Sequence, residues 1–229
     1  MRKITQKLCF VTTIALLCFG LAPHAFADQV SMTLTSAGNN ILGGVYVGPY
    51  TVSVNGVSEQ VICDDFSDET YIGETWNAVT STYPTLSNVA FAKGQPNQAL
   101  LYDEAAWLAQ NLYSSTDPTT AGEIQFAIWQ IFDPTPTSGL NPFQTLESYD
   151  GSSILAGAQS WLSEAQSQTF TSGEFSNFLV YTPTPSTPPQ EFLYSASEPP
   201  FALIIVANLL LFGFAFEFLR RRGVLVVSQ

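Results

Sequence analysis

An α+β fold is predicted by three features of the sequence. Residues 29–79 alternate polar and apolar side chains about Asn55-Gly56, the strongest short-range signal for a tight hairpin. From residue 98 the apolar positions switch to helical spacing. Residues 123–133 are apolar nearly all the way round, the mark of a helix buried on every side. The expected architecture is a small antiparallel β part packed on about three helices. A signal peptide is expected before it and a single transmembrane helix after it.

The strands come first. Residues 30–35 alternate, Asn39-Asn40 makes a turn, and residues 51–54 and 59–63 flank Asn55-Gly56. Residues 74–79 supply one more strand, followed by a polar stretch holding Pro84 and Gly94-Gln95-Pro96. Residues 98–113 then place Leu101, Ala105, Leu108 and Leu112 on one helical face. Next is the buried helix, with Thr120 and Glu123 spaced as a capping box and Asp133-Pro134 as its stop. Residues 135–141 read as loop. Residues 153–166 form an amphipathic helix with Ile154, Leu155, Ala158, Trp161, Leu162 and Ala165 as its stripe, and residues 175–181 close as a last strand.

Both ends read as addresses. Residues 1–27 have a basic start (Arg2, Lys3, Lys7), an apolar run and Ala25-Phe26-Ala27, the pattern of a secretory signal peptide. The exported domain is then residues 28–181. Residues 182–200 are rich in Pro, Thr and Ser and suggest an extended stalk. Residues 201–222 hold an apolar run long enough for one bilayer crossing, closed by Arg220, Arg221 and Arg222; residues 223–229 form a short cytoplasmic tail. The order of stalk, Glu198-Pro199-Pro200, apolar helix and arginine cluster resembles the PEP-CTERM sorting tail of Gram-negative bacteria. That family has Pro-Glu-Pro where this chain has Glu-Pro-Pro. The resemblance implies an exosortase as partner, with the chain held in the cytoplasmic membrane or released to the surface or extracellular matrix.

Composition excludes several functions. The formal charge is −12, and every basic residue except Lys93 lies in the first seven residues or at 220–222. A domain with one lysine cannot neutralise phosphates, so nucleic acid is not an expected partner. The single histidine, His24, belongs to the signal peptide. Without it the exported domain lacks Cys-His and Ser-His nucleophilic chemistry and the usual zinc ligands. No glycine-rich phosphate loop is present. An enzyme is not expected, and no cofactor or metal is predicted.

Two residues remain unexplained. Of the three cysteines, Cys9 and Cys18 leave with the signal peptide, so Cys63 stands alone in an exported protein, where cysteines normally pair. Gln125 sits inside the buried helix, where an unpartnered amide costs about 1–3 kcal/mol. Cys63 has three readings: an inert buried thiol, an intermolecular disulfide, or condensation with the Gln125 amide, losing ammonia, into an internal thioester.

The segments Ile62-Cys63-Asp64-Asp65 and Ile124-Gln125-Phe126-Ala127-Ile128-Trp129 resemble the two motifs of bacterial surface thioester domains. The resemblance spans roughly residues 45–133. Ile124 stands where that family often has Thr. It implies a Cys63–Gln125 bond, a supporting pocket from Asp64, Phe126, Ile128 and Trp129, and a surface adhesion module. An amine- or hydroxyl-bearing surface or matrix ligand would attack the bond, and Asp64 or Asp65 would act as base or steer a cation. The alternative is a non-covalent structural or matrix-associated surface protein with an inert cysteine. Asp64, Asp65, Asp68 and Glu69 read as a solvated acidic loop, since their spacing does not match a calcium loop. Lys93 reads as a solvated surface lysine, with an internal nucleophile as the less favoured role.

Overall fold

The computed structural model describes residues 29–136, 139–185 and 189–196. The expected signal peptide, the apolar C-terminal run and the residues read as a sorting signal, Glu198, Pro199, Pro200, Arg220, Arg221 and Arg222, lie outside the described residues. The architecture is α+β. Among the described residues, six antiparallel strands close into a barrel in the order β1-β4-β5-β8-β7-β6, and four helices pack on it.

The strands are β1 (Gln29–Ser36), β4 (Tyr50–Val54), β5 (Val57–Cys63), β6 (Thr75–Thr82), β7 (Phe178–Thr184) and β8 (Phe192–Ser195); β2 (Ile41–Leu42) and β3 (Val45–Tyr46) form a separate hairpin. Period-2 alternation sends Val30, Met32 and Leu34 of β1, and Tyr50, Val52 and Val54 of β4, into the barrel. Each such side chain contributes about 1.5–3 kcal/mol by leaving water. Asn55-Gly56 makes the β4–β5 turn with φ of 49° and 86°, the left-handed pair a two-residue hairpin needs. Asn55 fixes that turn to β1: its Oδ1 accepts from the Ser31 N–H at 3.0 Å.

The β part is larger than expected and has no stalk within it. Of residues 182–200, read as stalk, 182–184 end β7 and 192–195 form β8, which lies between β5 and β7. Without Phe192-Leu193-Tyr194 the barrel would not close. The Pro/Thr-rich average of this stretch hid an apolar triplet, and Phe192 and Leu193 are fully buried.

The helices are α1 (Gln98–Ser114), α2 (Pro118–Phe132), α3 (Pro142–Asp150) and α4 (Ser152–Gln166). The buried helix is α2, which starts earlier than its apolar run suggested. Asp117, not Thr120, is its cap, and Asp117 Oδ2 accepts from the Thr120 N–H at 2.8 Å. Pro118 takes the first helical position, where a missing N–H costs nothing. The fourth helix, α3, was not expected because only Pro142 and Leu146 are buried, leaving no periodic stripe to read. Its signal is a capping box. Asn141 Oδ1 accepts from Gln144 N–H at 2.8 Å, and Gln144 Oε1 accepts from Asn141 N–H at 3.0 Å.

Two hydrophobic clusters meet at α2. Ile124, Ala127 and Ile128 join α1, Ala165 and Phe178 on the helix side. Phe126 and Trp129 join the barrel interior with Cys63, Val52, Val61 and Phe192. The β2–β3 hairpin lies on the barrel-side face. A Cβ at Gly43 would fall 2.3 Å from Phe126 Cζ, and one at Gly122 would fall 2.6 Å from Leu42 Cδ2.

Candidate functional site

Cys63 is the last residue of β5, paired with Phe192, and Gln125 lies in the second turn of α2. Both are fully buried. The fold brings them together: Gln125 Nε2–H donates to the Cys63 carbonyl oxygen at 2.6 Å. The other end of the amide is held as well, because the Gly48 N–H donates to Gln125 Oε1 at 3.3 Å. The amide orientation is forced. A carbonyl oxygen only accepts and a backbone N–H only donates, so a flipped amide would face like against like at both ends. This answers the demand a buried glutamine makes for partners.

The Cys63 thiol is held on the opposite side by the chain that follows it. Sγ donates to the Asp65 carbonyl oxygen at 3.0 Å and faces the Asp65 N–H at 3.4 Å. Burial pushes the thiol well above its usual range, and the charges of Asp65 and Asp64 push the same way. The Trp129 indole opposes them from beside the sulfur, although its N–H lacks the alignment of a full hydrogen bond. Burial, then the proximity of Cys63, likewise raises the Tyr50 phenol.

Phe66, Phe126 and Trp129 form an aromatic cluster with centroids 5.0–6.1 Å apart. Trp129 and Tyr50 separate the buried pair from an open cleft of about 650 Å³. The cleft is walled by Tyr46, Phe66 and Tyr71, and Asp68 and Glu69 lie on its lining. Its chemistry is therefore aromatic with a negative edge. Lys93 is exposed and lines a different cleft.

Three expectations for the site are corrected. Ile128 is not part of the pocket. It joins the helix-side cluster: about 60° round α2 from Gln125, it lies on the side away from Phe126 and Trp129. Asp64 and Asp65 are not solvated: Asp64 is 0% exposed and Asp65 5%. Nor can Asp64 steer a dissolved cation, since its side chain meets Glu191 in the interior.

The Asp64–Glu191 pair was missed by sequence reasoning. Glu191 precedes β8 in what read as stalk, and no local signal marks it as buried. Its Oε1 accepts from Tyr102 O–H at 2.7 Å; its Oε2 accepts from Ala90 N–H at 2.7 Å and from the Thr182 hydroxyl. Both Asp64 carboxyl oxygens lack a conventional donor. A proton on one Asp64 oxygen, donated to Glu191, removes the repulsion between the two carboxyl groups. Burial is the main cause that raises Asp64, followed by the charge of Glu191. Asp65 has its own role: Oδ1 accepts from the Ser67 and Asp68 N–H groups, both at 3.0 Å, fixing the turn after Cys63. Burial pushes its carboxyl up to about 6 against those two hydrogen bonds.

No protein-family model and no curated protein matches the sequence. Among solved structures, the pilus-presented adhesin Cpa is similar in two crystal forms. One has a TM-score of 0.47 at 14% identity, covering 75% of this chain and 64% of that one. The other has a TM-score of 0.46 at 15% identity, covering 74% and 47%. This chain thus spans less than two thirds of either adhesin chain. The N-terminal thioester domain of a surface protein from Clostridium perfringens has a TM-score of 0.42 at 12% identity, covering 73% and 98%. Likenesses at this level transfer no activity, and a functional reading has to stand on the chain's own residues.

Proposed function

We propose that this protein is an exported surface adhesion module that attaches covalently through an internal thioester between Cys63 and Gln125. The observation that carries this reading is the Gln125 amide, fully buried and held against Cys63 at one end and Gly48 at the other. The amide thus meets the backbone of the one cysteine in the domain, and that cysteine is a free, buried thiol.

The chemistry balances without a co-reactant. The Cys63 sulfur bonds to Gln125 Cδ, the Cδ–Nε2 bond breaks, and the thiol proton leaves with the nitrogen as ammonia. Thiolate is a better leaving group than the amine of an amide, so the product carbonyl is an electrophile. An amine or hydroxyl on a ligand adds to Cδ, the C–S bond breaks, and the ligand's proton returns to Cys63 as the thiol. The product is a permanent amide or ester. The reaction runs once per molecule, so the module is not a turnover enzyme. Trp129, Phe66 and Phe126 exclude water from the electrophile in the resting state. The aromatic cleft with Asp68 and Glu69 on its lining gives an approaching ligand, above all a cationic amine, a place to dock. The sequence supports export, a membrane-anchored C-terminus and handling by an exosortase.

A second reading, a non-covalent structural or matrix-associated surface module, is favoured by one observation. Burial and the adjacent carboxylates hold the Cys63 thiol in its unreactive protonated form. Intact mass of the exported full chain, beside Cys63→Ala, separates the two. A wild-type mass one ammonia below the sequence mass, absent in Cys63→Ala and raised by methylamine addition, is the expected result. The full sequence mass, with a thiol that labels only on unfolding, sinks the thioester and leaves the second reading.

A further inference from the structure

We propose that the Gly48 backbone N–H is the oxyanion donor of this site, stabilising the charge that develops on Gln125 Oε1 when the thioester forms and again when a ligand opens it. The assignment rests on the Cys63–Gln125 reading above and adds to it a catalytic group that touches the reacting carbonyl.

Three observations carry it. First, the contact is to the atom that matters. Addition of sulfur to Gln125 Cδ, or of a nucleophile to the thioester, turns Oε1 from a carbonyl oxygen into an alkoxide. Gly48 N–H already points at that oxygen at 3.3 Å in the amide form. That distance is long for a resting hydrogen bond and is of the kind that tightens as charge builds on the acceptor. Second, among the described residues no other donor is bonded to Oε1. Gln125 makes two hydrogen bonds, one at each end of the amide, and the second runs from Nε2 to Cys63 O. Third, residue 48 has to lack a side chain. A Cβ there would fall 2.8 Å from Gln125 Oε1 and 3.3 Å from Tyr50 Cε2, so only glycine lets the backbone approach the carbonyl. The site is buried, so one aligned N–H is worth far more there than in water. The two ends of the amide then have distinct duties. Gly48 polarises the oxygen, and the Cys63 carbonyl holds the nitrogen that departs.

The test uses the full chain in which residue 48 is replaced as Gly48→glycolic acid, exchanging the N–H for an ester oxygen without added bulk. Thiol release by methylamine and by hydroxylamine is followed in wild type and variant. The expected result is that both nucleophiles open the variant slower by about 100-fold, the usual effect of losing one oxyanion donor. A variant that folds yet keeps its full sequence mass supports the assignment equally, as failure of the forming step. A merely structural Gly48 contact predicts the reverse, since a loosened site admits water and opens faster. Opening at the wild-type rate or faster overturns the assignment while leaving the thioester standing. A wild-type chain at full sequence mass overturns the thioester and the assignment together. Should the variant not fold, the infrared carbonyl band of wild-type protein labelled with carbon-13 at glutamine decides. A thioester band shifted to lower frequency than in an unbonded thioester is expected, and an unshifted band overturns the assignment.

Discussion

On one side of α2, Ile124, Ala127 and Ile128 meet Leu108, Leu112 and Phe178 through hydrocarbon alone. On the other, Gln125, Phe126 and Trp129 meet a thiol, a strand-end carbonyl and a glycine N–H. The first face needs only volume, and many side chains would fill it. The second needs particular atoms from three separated places: residue 48 before β4, residue 63 at the end of β5, and residue 125 in α2. A fold meeting only the first demand would be stable and inert. Leucine at 125 would leave that glycine N–H and that strand-end carbonyl without partners, so the second face specifies atoms where the first specifies only volume.

Paired substitutions break this comparison most directly. Gln125→Leu abolishes any thioester outright and leaves the Gly48 N–H and the Cys63 carbonyl without partners, at about 1–3 kcal/mol for each stranded group. Ile128→Ala, one turn away on the hydrocarbon face, costs about 2–5 kcal/mol through the cavity it leaves, and the thioester still forms. Denaturant midpoints and intact masses of the two variants check this. A thioester lost in a folded Ile128→Ala protein would show that the two faces are not independent.

Charge sits where the two clusters meet. Asp64 lies against Glu191, with Asp65 and Cys63 on the barrel side and Tyr83 and Tyr102 of the helix-side cluster around them. Burial raises both Asp64 and Asp65 above the ordinary carboxylate range, so the folded protein binds protons that the unfolded chain releases near pH 4. The stability they contribute is therefore complete below about pH 4 and is lost as pH rises, through about 6 for Asp65. The domain is expected to be more stable at pH 4.5 than at pH 7.5, by on the order of 2 kcal/mol for Asp65. Asp64→Asn, whose amide donates to Glu191 as the protonated acid does, should flatten the slope and raise stability at neutral pH. Urea unfolding across that range checks it. Stability that climbs toward neutrality, unchanged by Asp64→Asn, would place the shared proton elsewhere.

What the sequence made legible follows the same division. The hydrocarbon face of α2 and the Asn55-Gly56 hairpin are periodic or local signals, and both are where residue spacing put them. Cys63 and Gln125 stood out because each violates a general rule, a lone cysteine in a domain read as exported and an amide inside an apolar helix, and the fold joins the amide to the Cys63 carbonyl. Gly48, Glu191 and Tyr102 broke no rule in their own neighbourhoods. Their roles exist only after the barrel closes and brings residues 48, 63, 125 and 191 to one end. Composition misled at 182–196, where prolines and threonines outweighed the Phe192-Leu193 pair that closes the barrel. Ile128 was assigned to the pocket by nearness to Gln125, whereas it flanks Gln125 on the side that packs into the helix-side cluster.

The smallest expected effect concerns what holds the cover over the polar face. α3 has almost no buried stripe of its own, so its start depends on the Asn141–Gln144 capping box. Its end secures the β2–β3 hairpin, since the Gly43 N–H donates to Asp150 and the Tyr149 ring lies against Gly44. That hairpin in turn packs on Phe126 through Gly43. Asn141→Ala removes the side-chain acceptor of the first turn and should lower stability by only about 1 kcal/mol. The loss should be local. Amide hydrogen exchange is expected to speed up in α3 and in residues 41–46 while α1, on the hydrocarbon side, keeps its protection. Faster exchange spread evenly over α1 and α3 would mean that the two faces of α2 unfold as one unit, and that the cover over Gln125 has no stability of its own to lose.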